Sequence, residues 1–352
     1  MGLFFQKFID EFETSLDLKI YNKRIIMSNL KVLKKIDLTY QSVEAYQQVN
    51  YHYLENLKAL KQILPVPEFL LKPLGKYNLN YETNDSDIIS FNGQKTVIYL
   101  HGVGGIAEEN SILHRQLLEN GCDLIRISYG IDYEKDNIKF PKKAEDMIPF
   151  INEIEMKIAP VVTKELKQVI SELKKNHPDL FENKEIIIIA HSLGGGIIAN
   201  LVADCQDINF SKLINLDGTL INPAINMGLN INQLHLSQDS LFDIKWIDKE
   251  DDGKDQLKSI GHDYCKRINT LINNSTNKCT WIQIKDTTHF SFTDFPNLLK
   301  SYKIFNKIVG SRESAKRIRR YVTEFILQPD VLKIDAQDYL IKKKGPKHKL
   351  IT

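Results

Sequence analysis

A serine stands within a run of small residues, Ile189-Ala190-His191-Ser192-Leu193-Gly194-Gly195-Gly196. The run follows a continuous apolar stretch and precedes helical sequence, which is the strand–turn–helix context of a nucleophile elbow. Such a turn strains the serine backbone, so the positions two before and two after it must be small, as Ala190 and Gly194 are. The turn also lifts the hydroxyl to a helix N-terminus, where the N–H of Leu193 can donate to a developing oxyanion.

A glycine-rich phosphate loop is the alternative interpretation of this run. The run lacks the lysine of a P-loop and the spacing of a dinucleotide fingerprint, which favours the elbow. A second string, Leu100-His101-Gly102-Val103-Gly104-Gly105, follows the first strong strand signal, where a fold with an elbow places its other oxyanion loop. We expect the N–H of Val103 to be the second oxyanion donor, and we expect His101, Gly102, His191 and Gly194 to support the site.

A serine hydroxyl needs a base to accept its proton, and that base needs an orienting carboxylate. The histidines that follow the serine in sequence are His235, His262, His289 and His348. His289 comes shortly after the last apolar run, where the order serine–acid–histidine places the base. His235 lies inside strand-like sequence, His262 is poorly placed, and His348 belongs to a basic terminus. His191 is excluded as the base because neighbours in a tight turn point apart.

Two aspartates compete for the role of the acid. Asp217 ends the apolar run Lys212–Leu216, and Asp239 follows the next run along the chain. Both positions are compatible with the order serine–acid–histidine. Sequence order alone therefore leaves the choice between Asp217 and Asp239 open.

Six short apolar runs separated by helical sequence must position these residues. They are Thr96–Leu100, Asp123–Ser128, Glu185–Ala190, Lys212–Leu216, Gln233–Ser237 and Thr280–Ile284. The four isoleucines 186–189 are apolar at every position, as expected of a strand covered on both faces. A helix is predicted over Ala107–Glu119, ending at Asn120-Gly121. This alternation predicts an α/β protein with a mostly parallel sheet and helices on both faces.

The sequence suggests three regions. Residues 1–75 are predicted to form a helical N-terminal extension that opens with an apolar stripe (Phe4, Phe8 and Phe12), and residues 77–93 could form a hairpin. Residues 76–300 are the predicted catalytic domain, with a helical insert at 132–183 that either caps the site or adds packing. Residues 301–352 are predicted to hold a helix over Ser311–Leu327 and then a solvated lysine-rich tail.

The composition restricts the classes of function. The chain is 42% hydrophobic and 26% charged with a net charge of +2, which is globular and too weakly basic to suggest nucleic-acid binding. Four scattered cysteines form no CxxC pair, so neither a zinc site nor a disulfide scaffold is expected, and no metal or cofactor is predicted. No secretion signal or long apolar run is seen, which favours a cytoplasmic protein. The stripe at Phe4–Phe12 is expected to pack on the catalytic domain, with peripheral membrane contact as the alternative.

The chain resembles the platelet-activating-factor acetylhydrolase family of α/β-hydrolase-fold serine esterases. That family typically reads HGLG, GHSFGG, LD and H-x-x-F-x-D-F where this chain has His101–Gly104, Ala190–Gly195, Leu216-Asp217 and His289–Phe295. The resemblance covers about residues 65–300 and is most specific around His289. Alanine replaces glycine at Ala190, and Gly218 stands where the family has an aromatic residue after the acid. In the family the acid follows the earlier strand, so the resemblance favours Asp217 over Asp239.

The resemblance implies a lipase-like or phospholipase A2-like esterase that acts on small-acyl or lipid esters, in lipid degradation. Ser192, His289 and Asp217 would be nucleophile, base and acid. Thioesterase, amidase or acyltransferase activity with the same residues is the first alternative. A non-catalytic binding protein of the same fold is the second, against which the complete order of Ser192, Asp217 and His289 argues.

Overall fold

The computed structural model of the chain describes residues 36–37, 41–43, 93–102, 109–129, 146–176, 178–205, 207–240, 256–298, 309–328 and 332–345. Within these residues the chain forms one nine-stranded sheet. In chain order, the strands are β1 Ile36–Asp37, β2 Gln41–Val43, β3 Lys95–Leu100, β4 Cys122–Tyr129, β5 Glu185–His191, β6 Phe210–Leu216, β7 Asn232–Gln238, β8 Cys279–Ile284 and β9 Tyr339–Lys344.

The strands lie in the order β1-β2-β4-β3-β5-β6-β7-β8-β9. The six from β4 to β8 are parallel, whereas β1, β2 and β9 run antiparallel to their neighbours. The chain passes from β3 to β4 on one side and returns to β5 on the other. Such a reversal, here between β3 and β5, marks the usual place for a site in a parallel sheet, at the carboxyl ends of the strands.

Eight α-helices accompany the sheet in the described ranges. They are α1 Ser111–Glu119, α2 Met147–Glu153, α3 Ala159–Asn176, α4 Gly194–Asp204, α5 Ala224–Met227, α6 Gln256–Asn274, α7 Phe295–Leu298 and α8 Arg312–Leu327. A π-helical turn, Ile154–Ile158, joins α2 to α3, and short 3₁₀ helices span Pro178–Leu180 and His289–Phe292.

The core consists of two apolar layers, one on each face of the sheet. Side chains of a strand point alternately to the two faces, so Ile186 and Ile188 join the layer under α3, α4 and α6, while Ile187 and Ile189 join the layer under α1 and α8. All four are buried. The continuous apolar run of β5 is therefore the sequence signature of a central strand covered on both faces.

The structure confirms all six predicted strands within one or two residues at each end. The helix predicted over Ala107–Glu119 begins later, at Ser111, because the backbone of Asn110 is not helical (φ −123°, ψ 38°); the side chain of Asn110 donates to the carbonyl oxygen of Phe292. Its end is as predicted, with Gly121 in the left-handed region at φ 75°.

The predicted helix in the insert 132–183 is confirmed as α3. Its apolar face is buried in the layer that also holds α4 (Val162, Leu166, Val169, Ile170 and Leu173). The described part of the insert therefore adds packing to one face of the sheet. Four lysines on the other side of α3 are exposed or partly exposed (Lys164, Lys167, Lys174 and Lys175).

The two chain ends differ from the predictions. The strands β1 and β2 lie inside the region for which only helices were predicted; the Phe4–Phe12 stripe and the hairpin at 77–93, up to Asn92, fall outside the described residues. The lysine-rich segment predicted to be a solvated tail forms β9 as far as Lys344. This prediction was wrong because Lys344 donates from Nζ to carbonyl oxygens of Ile272, Asn273 and Ser275 at the end of α6, where helix carbonyls lack intrahelical partners.

Candidate active site

The parallel strands bring the predicted site residues to one edge of the sheet. His101 directly follows β3, Ser192 follows β5, and Asp217 follows β6. His289 lies five residues beyond the end of β8, at the start of a 3₁₀ helix. Because parallel strands have their carboxyl ends at the same edge, these four residues converge at that edge of the sheet.

Ser192 has the strained backbone expected of an elbow. Its φ is 57°, in the left-handed region that residues other than glycine seldom adopt. The N–H of Ser192 donates to the carbonyl oxygen of Leu216 (3.1 Å), and the N–H of Gly195 donates back to the carbonyl oxygen of Ser192 (2.9 Å). A Cβ at Gly194 would lie 2.6 Å from the carbonyl oxygen of His101, so the small residue predicted there is required by a close backbone approach.

His289 bridges the serine and one aspartate. Its Nε2 lies 2.8 Å from Oγ of Ser192, and its Nδ1 lies 2.7 Å from Oδ2 of Asp217. The Asp217 side chain is 1% exposed, whereas that of His289 is 33% exposed, so the aspartate is sealed and the histidine reaches the open side of the site. Nδ1–H donates to the carboxylate, which leaves Nε2 free to accept the proton of the serine hydroxyl.

Asp217 is fixed by further donors. Its Oδ1 accepts from the N–H of Gln238 (2.9 Å) and from the hydroxyl of Tyr264 (3.2 Å), and its Oδ2 accepts from Nε2 of Gln238 (2.7 Å). Burial, together with the neighbouring carboxylate of Asp217, raises the pKa of Tyr264 well above its usual value, so its phenol keeps the proton that it donates. With the bond from His289, these contacts hold the carboxylate in one orientation.

The rival acid, Asp239, has a different set of contacts. Its Oδ1 accepts from the N–H of Thr287 (2.8 Å), and its Oδ2 accepts from the N–H of Asp286 (2.9 Å). The N–H of Asp239 in turn donates to Oγ1 of Thr287 (3.2 Å). Asp239 therefore holds the loop that carries His289 by its backbone, and it is Asp217 that contacts the imidazole.

The other described histidines that follow Ser192 in the sequence form no hydrogen bond with it. His235 is buried in β7 with Nε2 3.1 Å from Oε1 of Gln233, and burial lowers its pKa to about 3, as befits a structural histidine. His262 lies within α6, and His348 is outside the described residues.

One of the two predicted oxyanion donors can be placed. Leu193 directly precedes α4, and within the described part of the chain its backbone N–H has no hydrogen-bond partner. It therefore points from a helix N-terminus as an available donor. Val103 lies in the segment 103–108, outside the described residues.

The supporting residues form a buried layer behind the serine. His101 accepts at Nε2 from the N–H of Tyr129 (3.0 Å), so its proton is on Nδ1, 2.6 Å from the carbonyl oxygen of Gly102. Burial lowers the pKa of His101, which agrees with this neutral form. His191 contacts Glu109 through Nδ1 (3.0 Å) and the carbonyl oxygen of His289 through Nε2 (3.2 Å).

Three site residues were not predicted from the sequence: Glu109, Gln238 and Tyr264. Glu109 precedes a helix, where an acidic residue is common for reasons unrelated to catalysis. Tyr264 lies in the middle of α6, where an aromatic residue indicates core packing. The position of Gln238 at the end of a predicted strand was the one available signal.

The segment that follows His289 ties the histidine loop to another part of the site. Oδ2 of Asp294 accepts from the N–H of Ile112 (3.1 Å) in the first turn of α1, and the N–H of Asp294 donates to the carbonyl oxygen of Glu109 (2.7 Å). Phe292 is 1% exposed, and its carbonyl oxygen accepts from Nδ2 of Asn110 (2.8 Å). The histidine loop is thus tied to the connection between β3 and α1.

Gly102 offers a test of how tightly the site is packed. A Cβ at this position would lie 2.7 Å from Cβ of Ser192 and 3.3 Å from its Oγ. We therefore expect Gly102→Ala to displace the serine from His289 and to lower kcat for an ester by about 10²-fold, the usual effect of a small misplacement. Gly345→Ala is the matched control, because nothing lies within 4 Å of its Cβ position. Equal kcat for both variants would contradict the packing argument.

The described residues contain no group of three or more His, Cys, Asp or Glu side chains arranged to hold a metal ion. None of their helices combines the length and apolar character needed to cross a membrane.

Comparison with known proteins supports the fold. No protein-family model matches the chain, and no curated protein matches it by sequence. A solved structure of a ferulic acid esterase from Streptomyces cinnamoneus is similar at a TM-score of 0.51 and 13% identity, covering 85% of this chain and 86% of that one. A dienelactone hydrolase from Anabaena variabilis matches at a TM-score of 0.37 and 12% identity, over 66% and 87% of the two chains. The chain has the α/β-hydrolase fold.

Proposed function

We propose that this protein is a serine hydrolase of carboxylic esters, with Ser192 as nucleophile, His289 as general base and Asp217 as the acid. The observation that carries the proposal is the continuous line of hydrogen bonds from Oγ of Ser192 through His289 to Asp217, at 2.8 and 2.7 Å. The strained φ of Ser192 supports it, because backbone strain is retained at sites where function requires it.

The proposed reaction has two steps. Oγ of Ser192 attacks the ester carbonyl carbon while Nε2 of His289 takes the hydroxyl proton, and the N–H of Leu193 donates to the oxyanion. His289 then gives that proton to the departing alcohol, which leaves an acyl group on Ser192. Water attacks this acyl-enzyme, His289 takes its proton, and the acid is released as Oγ of Ser192 is reprotonated.

We further propose a small-acyl or phospholipid-type ester as the substrate, a choice that rests on the sequence resemblance to platelet-activating-factor acetylhydrolases. In this chain the segment that carries the resemblance, with Phe292 and Asp294, holds the histidine loop in place. The acyl group is best identified by assay.

The test is turnover by the full-length protein of p-nitrophenyl acetate, butyrate and octanoate, and of a 2-acetyl and a 2-palmitoyl phosphatidylcholine. Acetylthiocholine and p-nitroacetanilide report thioesterase and amidase activity. We expect the acetyl esters to have the highest kcat/KM and the anilide to be inert. Ester turnover no faster than that of a His289→Ala variant would refute the proposal.

A further inference from the structure

A buried carboxylate lies behind the site and contacts two of its loops. Oε1 of Glu109 is 2.8 Å from the hydroxyl of Tyr99, 3.3 Å from the N–H of Gly102 and 3.0 Å from Nδ1 of His191. The side chains of Glu109 and His191 are only 6% and 5% exposed. One oxygen atom therefore joins the start of the oxyanion loop to the residue before Ser192.

The protons in this cluster can be assigned from its partners. The hydroxyl of Tyr99 accepts from Nδ2 of Asn110 (2.6 Å), so its own proton points to Glu109, and Gly102 contributes an N–H. Oε1 is thus an acceptor throughout, and Nδ1 of His191 donates to it. Nε2 of His191 faces the carbonyl oxygen of His289, which can only accept. Both ring nitrogens of His191 therefore carry protons.

The pKa directions agree with this assignment. Burial lowers the pKa of His191, but the adjacent Glu109 carboxylate outweighs burial and holds that pKa above its usual value. Burial likewise raises the pKa of Glu109, but the charge of His191 and the hydrogen bonds from His191 and Tyr99 bring that pKa below its ordinary value. The two residues form a buried ion pair.

The charged ring of His191 contacts His289, the proposed general base. His191 is adjacent to Ser192 in the chain, its Nε2 bonds to the backbone of His289, and the two rings lie 4.7 Å apart at 31°. A buried ion pair contributes little stability compared with apolar residues of the same size, so stability alone is a weak reason to retain one here. Its geometry instead fixes the backbone of His289 relative to Ser192.

We propose that Glu109 and His191 are a positioning pair for His289, in which Glu109 orients the His191 ring so that its Nε2–H holds the backbone carbonyl of His289. The inference rests on the proposed function, because it assigns a role in placing the general base. The hydrogen bond from Nε2 of His191 goes to the backbone of His289, not to Oγ of Ser192 or to Nε2 of His289. Its effect is on the distance between Nε2 of His289 and Oγ of Ser192, and hence on kcat rather than on substrate binding.

Two substitutions of His191 separate positioning from packing. A glutamine amide nitrogen reaches about as far as Nε2 and can still donate to the carbonyl oxygen of His289, whereas an asparagine amide nitrogen corresponds to Nδ1 and can donate only to Glu109. We expect His191→Asn to lower kcat for p-nitrophenyl acetate by about 10²-fold with KM within about threefold. We expect His191→Gln to retain more of kcat but to have the lower Tm, because Glu109 loses its partner.

A remote variant and a charge variant complete the experiment. Ser275→Ala removes a buried hydroxyl that bonds to Leu271 and Leu229, before the amino end of β8, and should lower Tm without changing kcat. Glu109→Gln keeps an acceptor oxygen but removes the charge, and should lower kcat at unchanged KM. If neither His191→Asn nor His191→Gln folds, the kcat of Glu109→Gln tests the positioning pair. A lower kcat supports the pair, and an unchanged kcat refutes it.

The outcomes distinguish this inference from the proposed function. Wild-type protein that turns over no ester refutes both. Active wild-type protein with unchanged kcat in His191→Asn and Glu109→Gln refutes only the positioning pair. The pair is also refuted if kcat follows Tm across all four variants, because the residues would then act through stability alone.

Discussion

Replacement of Ser192 by alanine is expected to lower kcat for ester hydrolysis by about 10⁴- to 10⁶-fold, the range found when members of a catalytic triad are removed. The attacking atom is lost, while the backbone that holds it is kept. Alanine has the same Cβ as serine, so the strain at φ 57° neither grows nor disappears. Initial rates on p-nitrophenyl acetate, with far-UV circular dichroism and Tm, measure both parts of the prediction.

Ser211→Ala is the matched control for this substitution. Ser211 lies at the amino end of β6, away from the site, and its Oγ donates to the carbonyl oxygen of Ile186 (3.0 Å). It should keep wild-type kcat even if Tm falls slightly. A folded Ser192→Ala protein with most of its ester turnover would exclude Ser192 as the nucleophile.

Replacement of Asp217 by asparagine is expected to lower kcat by about 10⁴-fold, as loss of the triad carboxylate does elsewhere. Oδ2 of Asp217 faces Nδ1 of His289 at 2.7 Å and Nε2 of Gln238 at 2.7 Å. Both partners donate a hydrogen bond to this oxygen. An asparagine NH₂ group in its place would face two other donors, or it would force the imidazole of His289 into the wrong tautomer. Stopped-flow or steady-state kinetics at saturating ester concentration gives kcat directly.

Asp239→Asn is the natural comparison, because Asp239 was the rival for the same role. It accepts from the backbone N–H groups of Asp286 and Thr287, and an asparagine oxygen can replace only one of those two bonds. We expect a lower Tm and a loss of kcat of about tenfold or less, from a looser histidine loop. A crippled Asp239→Asn enzyme beside a nearly normal Asp217→Asn enzyme would reverse the assignment.

The parallel strands of the sheet could be predicted from the sequence because their apolar runs match the burial of these strands in the fold. The isoleucines of β5 face both apolar layers, so a continuous apolar run is what a covered central strand requires. Ser192 and His289 were identifiable because each directly follows, or closely follows, such a strand. Sequence pattern and sheet topology point to the same edge.

The sequence pattern alone could not decide between Asp217 and Asp239 as the acid. Asp217 and Asp239 follow two neighbouring parallel strands, β6 and β7, so any rule based on strand ends fits both. What separates them is the direction of each carboxylate, which depends on Gln238 and on Tyr264, 47 residues from Asp217 along the chain. Such contacts between distant segments leave no local signature, and the resemblance to a known family supplied the choice instead.

The errors at the chain ends have a related cause. The segment Tyr339–Lys344 carries three consecutive lysines, a pattern typical of a solvated tail. It becomes a strand because β8 offers an open edge and the end of α6 offers carbonyl oxygens to Lys344. The role of Glu109 was not predicted for a similar reason, because its partners Tyr99, Gly102 and His191 lie in other parts of the chain.

The most direct test of the central claim is labelling of the full-length protein with a fluorophosphonate, followed by peptide mapping by mass spectrometry. The probe reacts with a serine whose hydroxyl is activated by a neighbouring base, so the account predicts a single adduct on Ser192 that disappears in Ser192→Ala and in His289→Ala. An adduct on another serine, or folded wild-type protein that stays unlabelled while a known serine hydrolase in the same tube reacts fully, would contradict it.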